Sequence, residues 1–153
     1  MLRDDLRDAL KTAMIEKSDN KVSTIRLIIA AIKDRDIAAR STGNLDGISD
    51  AEILVLLQSM IKQRNDSIEM YTKGGRSDLA EAEKSEIDII RTFMPKQLGE
   101  AETASAISEA ISATGAVGLK DMGKVMALLR EKYAGQIDFS QASVKVKEQL
   151  AQI

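Results

Sequence analysis

Residues 60–98 read MIKQRNDSIEMYTKGGRSDLAEAEKSEIDIIRTFMPKQL, and this stretch decides the fold. It parses as a helix, a break at Gly74-Gly75, a second helix, and then Pro95, the sole proline of the chain. Counting from the glycines sets a register. On the first helix the apolar stripe is Ile53, Leu57, Met60, Ile61, Ile68 and Tyr71, and Arg64 falls inside it. On the second the stripe is Leu79, Ile87, Ile90 and Met94, with Glu83 and Glu86 at the same helical spacing. Folding the helices antiparallel about the glycines leaves Arg64 and Glu83 out of register by two residues, about 3 Å along the axis. Glu86 misses by one residue in the other direction. Both carboxylates lie within reach of an arginine fork, so Arg64 with Glu83 or Glu86 reads as a partly buried interhelical ion pair that fixes register. Two other readings remain open: an acid–base carboxylate pair, which has no His or metal-ligand set nearby, and a binding surface.

Outward from this hairpin the periodicity stays helical. Leu2–Lys17 and about Lys21–Arg40 carry apolar residues at helical spacing, and Ser18-Asp19-Asn20 separates them. The turn-rich STGNLDGIS follows. Ser49 with Glu52 is a capping-box pattern, so the third helix should start at Asp50 and run to Lys73. Ser77 is the expected cap of the fourth, which should reach Met94. Beyond Pro95 the segments shorten to about Ala101–Thr114, Lys120–Tyr133 and Asp138–Gln152, with Asp138 and Gln141 as a second capping-box pattern. The sequence therefore predicts an all-α protein: an N-terminal helical domain of four helices over residues 1–95, and a three-helix tail domain over 96–153. A tail this short makes a marginal core and is expected to lean on the N-terminal half.

Composition narrows the chemistry. The chain of 153 residues has no Cys, no His and no Trp, and a net charge of −2. Disulfides, thiolate metal sites, cysteine nucleophiles and imidazole bases are all excluded. No catalytic set, metal site or cofactor motif is expected. Two Tyr and two Phe are too few for base-stacking platforms. No apolar run is long enough to span a membrane. The charged, amphipathic start MLRDDLRDALKTAM lacks the apolar core of a secretory signal, which makes a cytoplasmic location the expectation.

Two further features bear on binding. Arg26, between Val22 and Ile29, is either a snorkelling or paired arginine or a phosphate contact. In the tail, Lys120, Lys124, Arg130, Lys132, Lys145 and Lys147 face only Asp121, Glu131 and Asp138, a local charge of +3. This is the best candidate phosphate surface in the chain, although it is no P-loop. Gly123 inside a helix costs about 1 kcal/mol relative to Ala, which implies close approach of a neighbouring helix or of a bound backbone.

The segments KQRNDSIEMYTKGGRSDLAEAEKSEIDIIRTFMPKQL and LKDMGKVMALLREKYAGQIDFSQASVKVKEQL resemble the YqeY family of the GatB/YqeY group. The spacing of KQR, GR-x-DLA and EI, the following P-x-QL and the DMGKVM run carry that resemblance over nearly the whole chain. The C-terminal piece is similar to the tail domain of the B subunit of the glutamine-dependent tRNA amidotransferase, matching it at Gly123, Val125, Met126, Gly135 and Asp138. Where the family often opens the first tail helix with Ser or Thr, this chain has Gly99, a weaker cap.

The resemblance implies an all-α fold and a tail that engages tRNA, with Lys120, Gly123, Lys124, Arg130, Lys132, Gly135, Lys145 and Lys147 as the candidate nucleic-acid surface. The family label, carbon–nitrogen ligase with glutamine as amido-N-donor, belongs to an amidotransferase whose catalytic domain has no counterpart here. The expected function is a non-catalytic tRNA-binding or translation-associated accessory protein. The alternatives are an amidotransferase-related subunit active only in a complex, and a helical protein–protein adaptor. The expected partners are thus tRNA or a translation-related protein complex.

Overall fold

Each apolar-periodic segment forms a helix in the computed structural model, which describes residues 1–152. The order is α1 (Leu2–Ile15), α2 (Asp19–Arg40), α3 (Asp50–Lys73), α4 (Ser77–Arg91), α5 (Glu100–Thr114), α6 (Met122–Tyr133) and α7 (Phe139–Ala151). A short 3₁₀ turn, Leu119–Asp121, precedes α6. No strand occurs among the described residues, and the fold is all-α. The chain divides into two compact units, Met1–Pro95 and the residues from Lys96 onward.

In the first unit α1 lies on α2, and α3 and α4 form the glycine-linked hairpin against which α2 packs. The core draws Leu6 and Ala13 from α1, Ile25, Ile28 and Ile32 from α2, Ile53, Leu56, Leu57 and Met60 from α3, and Ile90 from α4. Ile28, Ile53, Leu57 and Ile90 are fully buried. Each contributes about 1.5–3 kcal/mol relative to an exposed side chain. No residue of α3 beyond Met60 is buried; Ile68 and Tyr71 are only half-covered.

Caps follow local chemistry, with two departures from expectation. Ser49 and Glu52 make the full capping box at α3. At α4, Arg76 rather than Ser77 is the N-cap, and Ser77 is the first helical residue. Gly75, at φ +72°, turns the chain, and the Arg76 N–H donates to the Tyr71 carbonyl at 2.8 Å, so the helix starts one residue early. The helix ends at Arg91, short of the expected Met94, with Thr92 as its C-cap.

The second unit packs α5, α6 and α7 around Ala106, Ile107, Ala110, Val125, Met126, Leu129, Ile137, Ala142, Val146 and Leu150. This small unit therefore has a buried core of its own. Gly115, at φ +66°, closes α5. Gly99 is the N-cap of α5 and makes no side-chain capping bond. At α7, Asp138 accepts from the Ser140 N–H at 2.9 Å. Gln141 makes no reciprocal capping bond among the described residues: it is exposed and lines a shallow recess instead.

Candidate functional sites: an interhelical ion pair and a tail surface

Arg64 Nε donates to Glu86 Oε2 at 2.8 Å across the α3–α4 hairpin. Their side chains are 13% and 27% exposed, so the pair is largely but not wholly withdrawn from water. A second donor, Nη1, reaches back to the Met60 carbonyl at 3.2 Å on the preceding turn. The guanidinium thus ties α3 to α4 across the hairpin. Glu83 is half-buried, and no salt bridge to Arg64 involves it. The sequence left the partner open between two carboxylates, and the register places Glu86 opposite.

A second clip has no counterpart in the sequence reading. Arg3 Nη1 and Nη2 donate to Asp36 Oδ2 and Oδ1, each at 2.7 Å, the bidentate geometry in which arginine binds carboxylate most strongly. Nη2 also donates to the Ile48 carbonyl at 2.9 Å, and the Ile48 N–H donates to Asp36 Oδ1 at 2.8 Å. One carboxylate therefore binds α1, α2 and the loop before α3 together. The Arg3 hydrogen bond is the main reason that the Asp36 carboxyl is lowered to about 2, with the Ile48 N–H adding to it. Gly47 makes room for the clip. Its φ is +95°, and a Cβ there would lie 2.8 Å from both Arg3 Nη2 and Asp36 Oδ1. Arg26 is exposed on α2.

In the tail the six basic residues separate by helical phase. Lys120, Gly123 and Lys124 are all exposed, where the 3₁₀ turn runs into α6, on the side away from buried Val125, Met126 and Leu129. Arg130 lies toward α7, its guanidinium 5.9 Å from the centre of the Phe139 ring. Lys132 lies toward α5, lining a narrow crevice with Glu109 and Tyr133. Lys145 borders a different recess beside Asp138 and Gln141. Lys147 is exposed on α7. Adding the six charges along the sequence overstated one patch, because a helix distributes neighbours around its axis.

The two glycines also differ. Gly123 has nothing within 4 Å of the position a Cβ would occupy, so no neighbouring helix packs closely against it. Its backbone lies open between Lys120 and Lys124. Gly135 is buried, at φ +77° in the turn between α6 and α7, where its carbonyl accepts from Gln97 Nε2. A buried glycine in a left-handed turn serves the fold rather than a phosphate. Val125 and Met126 are likewise core residues. Asp121 tempers the surface. Its carboxylate accepts from the Val117 N–H at 2.9 Å, and that bond, aided by Lys124 and Lys120, holds its pKa below the usual range.

A family profile described as Yqey-like protein matches residues 3–150, nearly all of the chain. The chain belongs to the YqeY family. Relatives of this YqeY-family chain include proteins named Altered inheritance of mitochondria protein 41, mitochondrial. The one from Lachancea thermotolerans is 36% identical over 110 residues, 71% of this chain and 57% of that protein. Its namesake from Vanderwaltozyma polyspora is 36% identical over 89 residues, 58% of this chain and 46% of the relative. The chain thus spans about half the length of the curated relatives it matches. Their names also correct the cytoplasmic expectation: these relatives are named as mitochondrial proteins. The missing apolar signal core bears only on secretion and leaves other compartments undecided.

Proposed function

We propose that this YqeY-family protein is a tRNA-binding accessory of translation, without catalysis of its own, and that it touches RNA through the outer side of α6. The supporting observation is local. Lys120 and Lys124 are exposed one turn apart, with the uncovered backbone of Gly123 between them. Lysines neutralise phosphate as point charges, and a residue without a side chain lets the duplex backbone come close. Exposed Val117 and Leu119 flank the same turn and offer an apolar edge for a sugar or base. With two lysines making the contact, binding is weak and governed by salt, with a log–log slope near −2 if each meets one phosphate. Titration of purified protein into labelled tRNA over a range of salt tests this, with a salt-independent affinity as the contrary result.

The adaptor reading draws on a separate observation. Leu27 and Ile37 are 49% and 53% exposed on α2, two separate apolar points about 15 Å apart that a partner helix lying along α2 would span. Co-purification of a protein from lysate that survives nuclease would favour it; loss of all partners on nuclease treatment favours RNA.

A further inference from the structure

The cleft between α1 and α2 has no part in either site above. Its volume is about 300 Å³, and it is lined by Arg3, Leu6, Arg7, Ile29, Ile32 and Lys33, with Asp36 at one end. That is the lower end of the size range of small-molecule sites. Its floor is the partly exposed side of Ile29, with core residues Leu6 and Ile32 (1% and 4% exposed) beneath, and its rim carries Arg7 and Lys33. Asp36 is occupied by the bidentate Arg3 pair and by the Ile48 N–H, so these two charges offset each other. Among the described residues Arg7 pairs with Asp4 of its own helix, at 4.0 Å, and both side chains are more than two-thirds exposed, so the attraction is largely screened. Lys33 is exposed and forms no salt bridge among the described residues. Lys33 thus stands without a salt bridge and Arg7 with only a screened one, in a chain whose net charge is −2.

We propose that this cleft binds a small amphipathic anion, with its head group between Arg7 and Lys33 and a short aliphatic tail over Ile29, above the core side chains of Leu6 and Ile32. The pinned Arg3 guanidinium closes one end and is held in place before any ligand arrives. A phosphate on RNA would satisfy the rim and leave the floor unused, whereas an alkyl anion satisfies both. The head group is a carboxylate or a phosphate, chemistries that the rim accepts alike.

The test is a titration of the full chain, labelled for NMR, with octanoate, octyl phosphate, octanol and octylamine. The expected result is saturable shifts of the Leu6, Ile29 and Ile32 methyls with the two anions at millimolar concentration or below. Octanol and octylamine should produce at least tenfold weaker effects, and the tighter of the two anions identifies the head group. Arg7→Gln with Lys33→Gln, both at exposed positions, should weaken anion binding at least tenfold while leaving the spectrum folded. Absence of localised shifts with either anion, equal binding of octanol, or undiminished binding by the double variant would each overturn the assignment.

Discussion

Arg64 and Glu86 are 22 residues apart in sequence and 2.8 Å apart in space, and their contact sets the register of the α3–α4 hairpin. Because the pair is only partly buried, removing one partner leaves a charge that water can still reach in part. Glu86→Gln should therefore destabilise the protein by about 1–3 kcal/mol, less than the 3–5 typical of a fully buried pair. Glu83→Gln should stay within about 0.5 kcal/mol. Urea denaturation separates the two; equal losses would mean that both carboxylates share the arginine.

The Arg3–Asp36 clip predicts a pH dependence. Asp36 has a folded pKa of about 2 against an ordinary value of 3.8. A lowered carboxylate contributes stability that is fully present above its unfolded pKa and is lost as pH falls through the folded one. Stability should thus drop between about pH 4 and pH 2, by about 1 kcal/mol from this group once solvent screening is allowed for. Asp36→Asn should remove that part of the acid limb; an unaltered limb in the variant would show that the clip does not contribute.

Gly47 guards the same clip. Gly47→Ala combines a strained left-handed backbone with a clash against Arg3 and Asp36, and should cost about 2–4 kcal/mol. Gly43→Ala, at φ +89° but with open space around it, should cost about half as much. Thermal melts of the two variants check the order, and equal losses would mean that backbone strain alone decides.

Gly123 separates folding from function. It sits in the first turn of α6 at an exposed position with no close neighbour, so Gly123→Ala should stabilise the protein by up to about 1 kcal/mol. The added methyl stands between the lysines, so the same variant should bind tRNA less tightly. Higher stability with unchanged affinity would remove the glycine from the RNA surface and leave the lysines in question alone.

How much of this was legible in the sequence depends on whether a local marker supplied the register. Gly74-Gly75 provided an origin from which Arg64 could be counted against the opposing helix, so the hairpin was readable. Choosing Glu86 over Glu83 was not, because counting places residues along an axis but does not say which way each points across the interface. The Ser49–Glu52 box was readable as a local motif. The Arg3–Asp36 contact was not, since its partners are 33 residues apart and the loop that completes it, through Ile48, has no periodicity. The only visible trace was a glycine-bearing turn at Asn44–Gly47. In the tail, charge summed along the chain does not see helical phase, which sends Arg130 toward Phe139 and Lys132 toward Glu109.

The most direct test of the tRNA-binding account is the affinity of the Lys120→Glu, Lys124→Glu double variant for tRNA, measured beside wild type across a salt series. Both lysines are exposed, so helical circular dichroism should be unchanged. The account predicts weak wild-type binding with a log–log salt slope of about −2, and no measurable binding by the variant. Wild type that fails to bind tRNA even at low salt, or a double variant that binds as well as wild type, would contradict it.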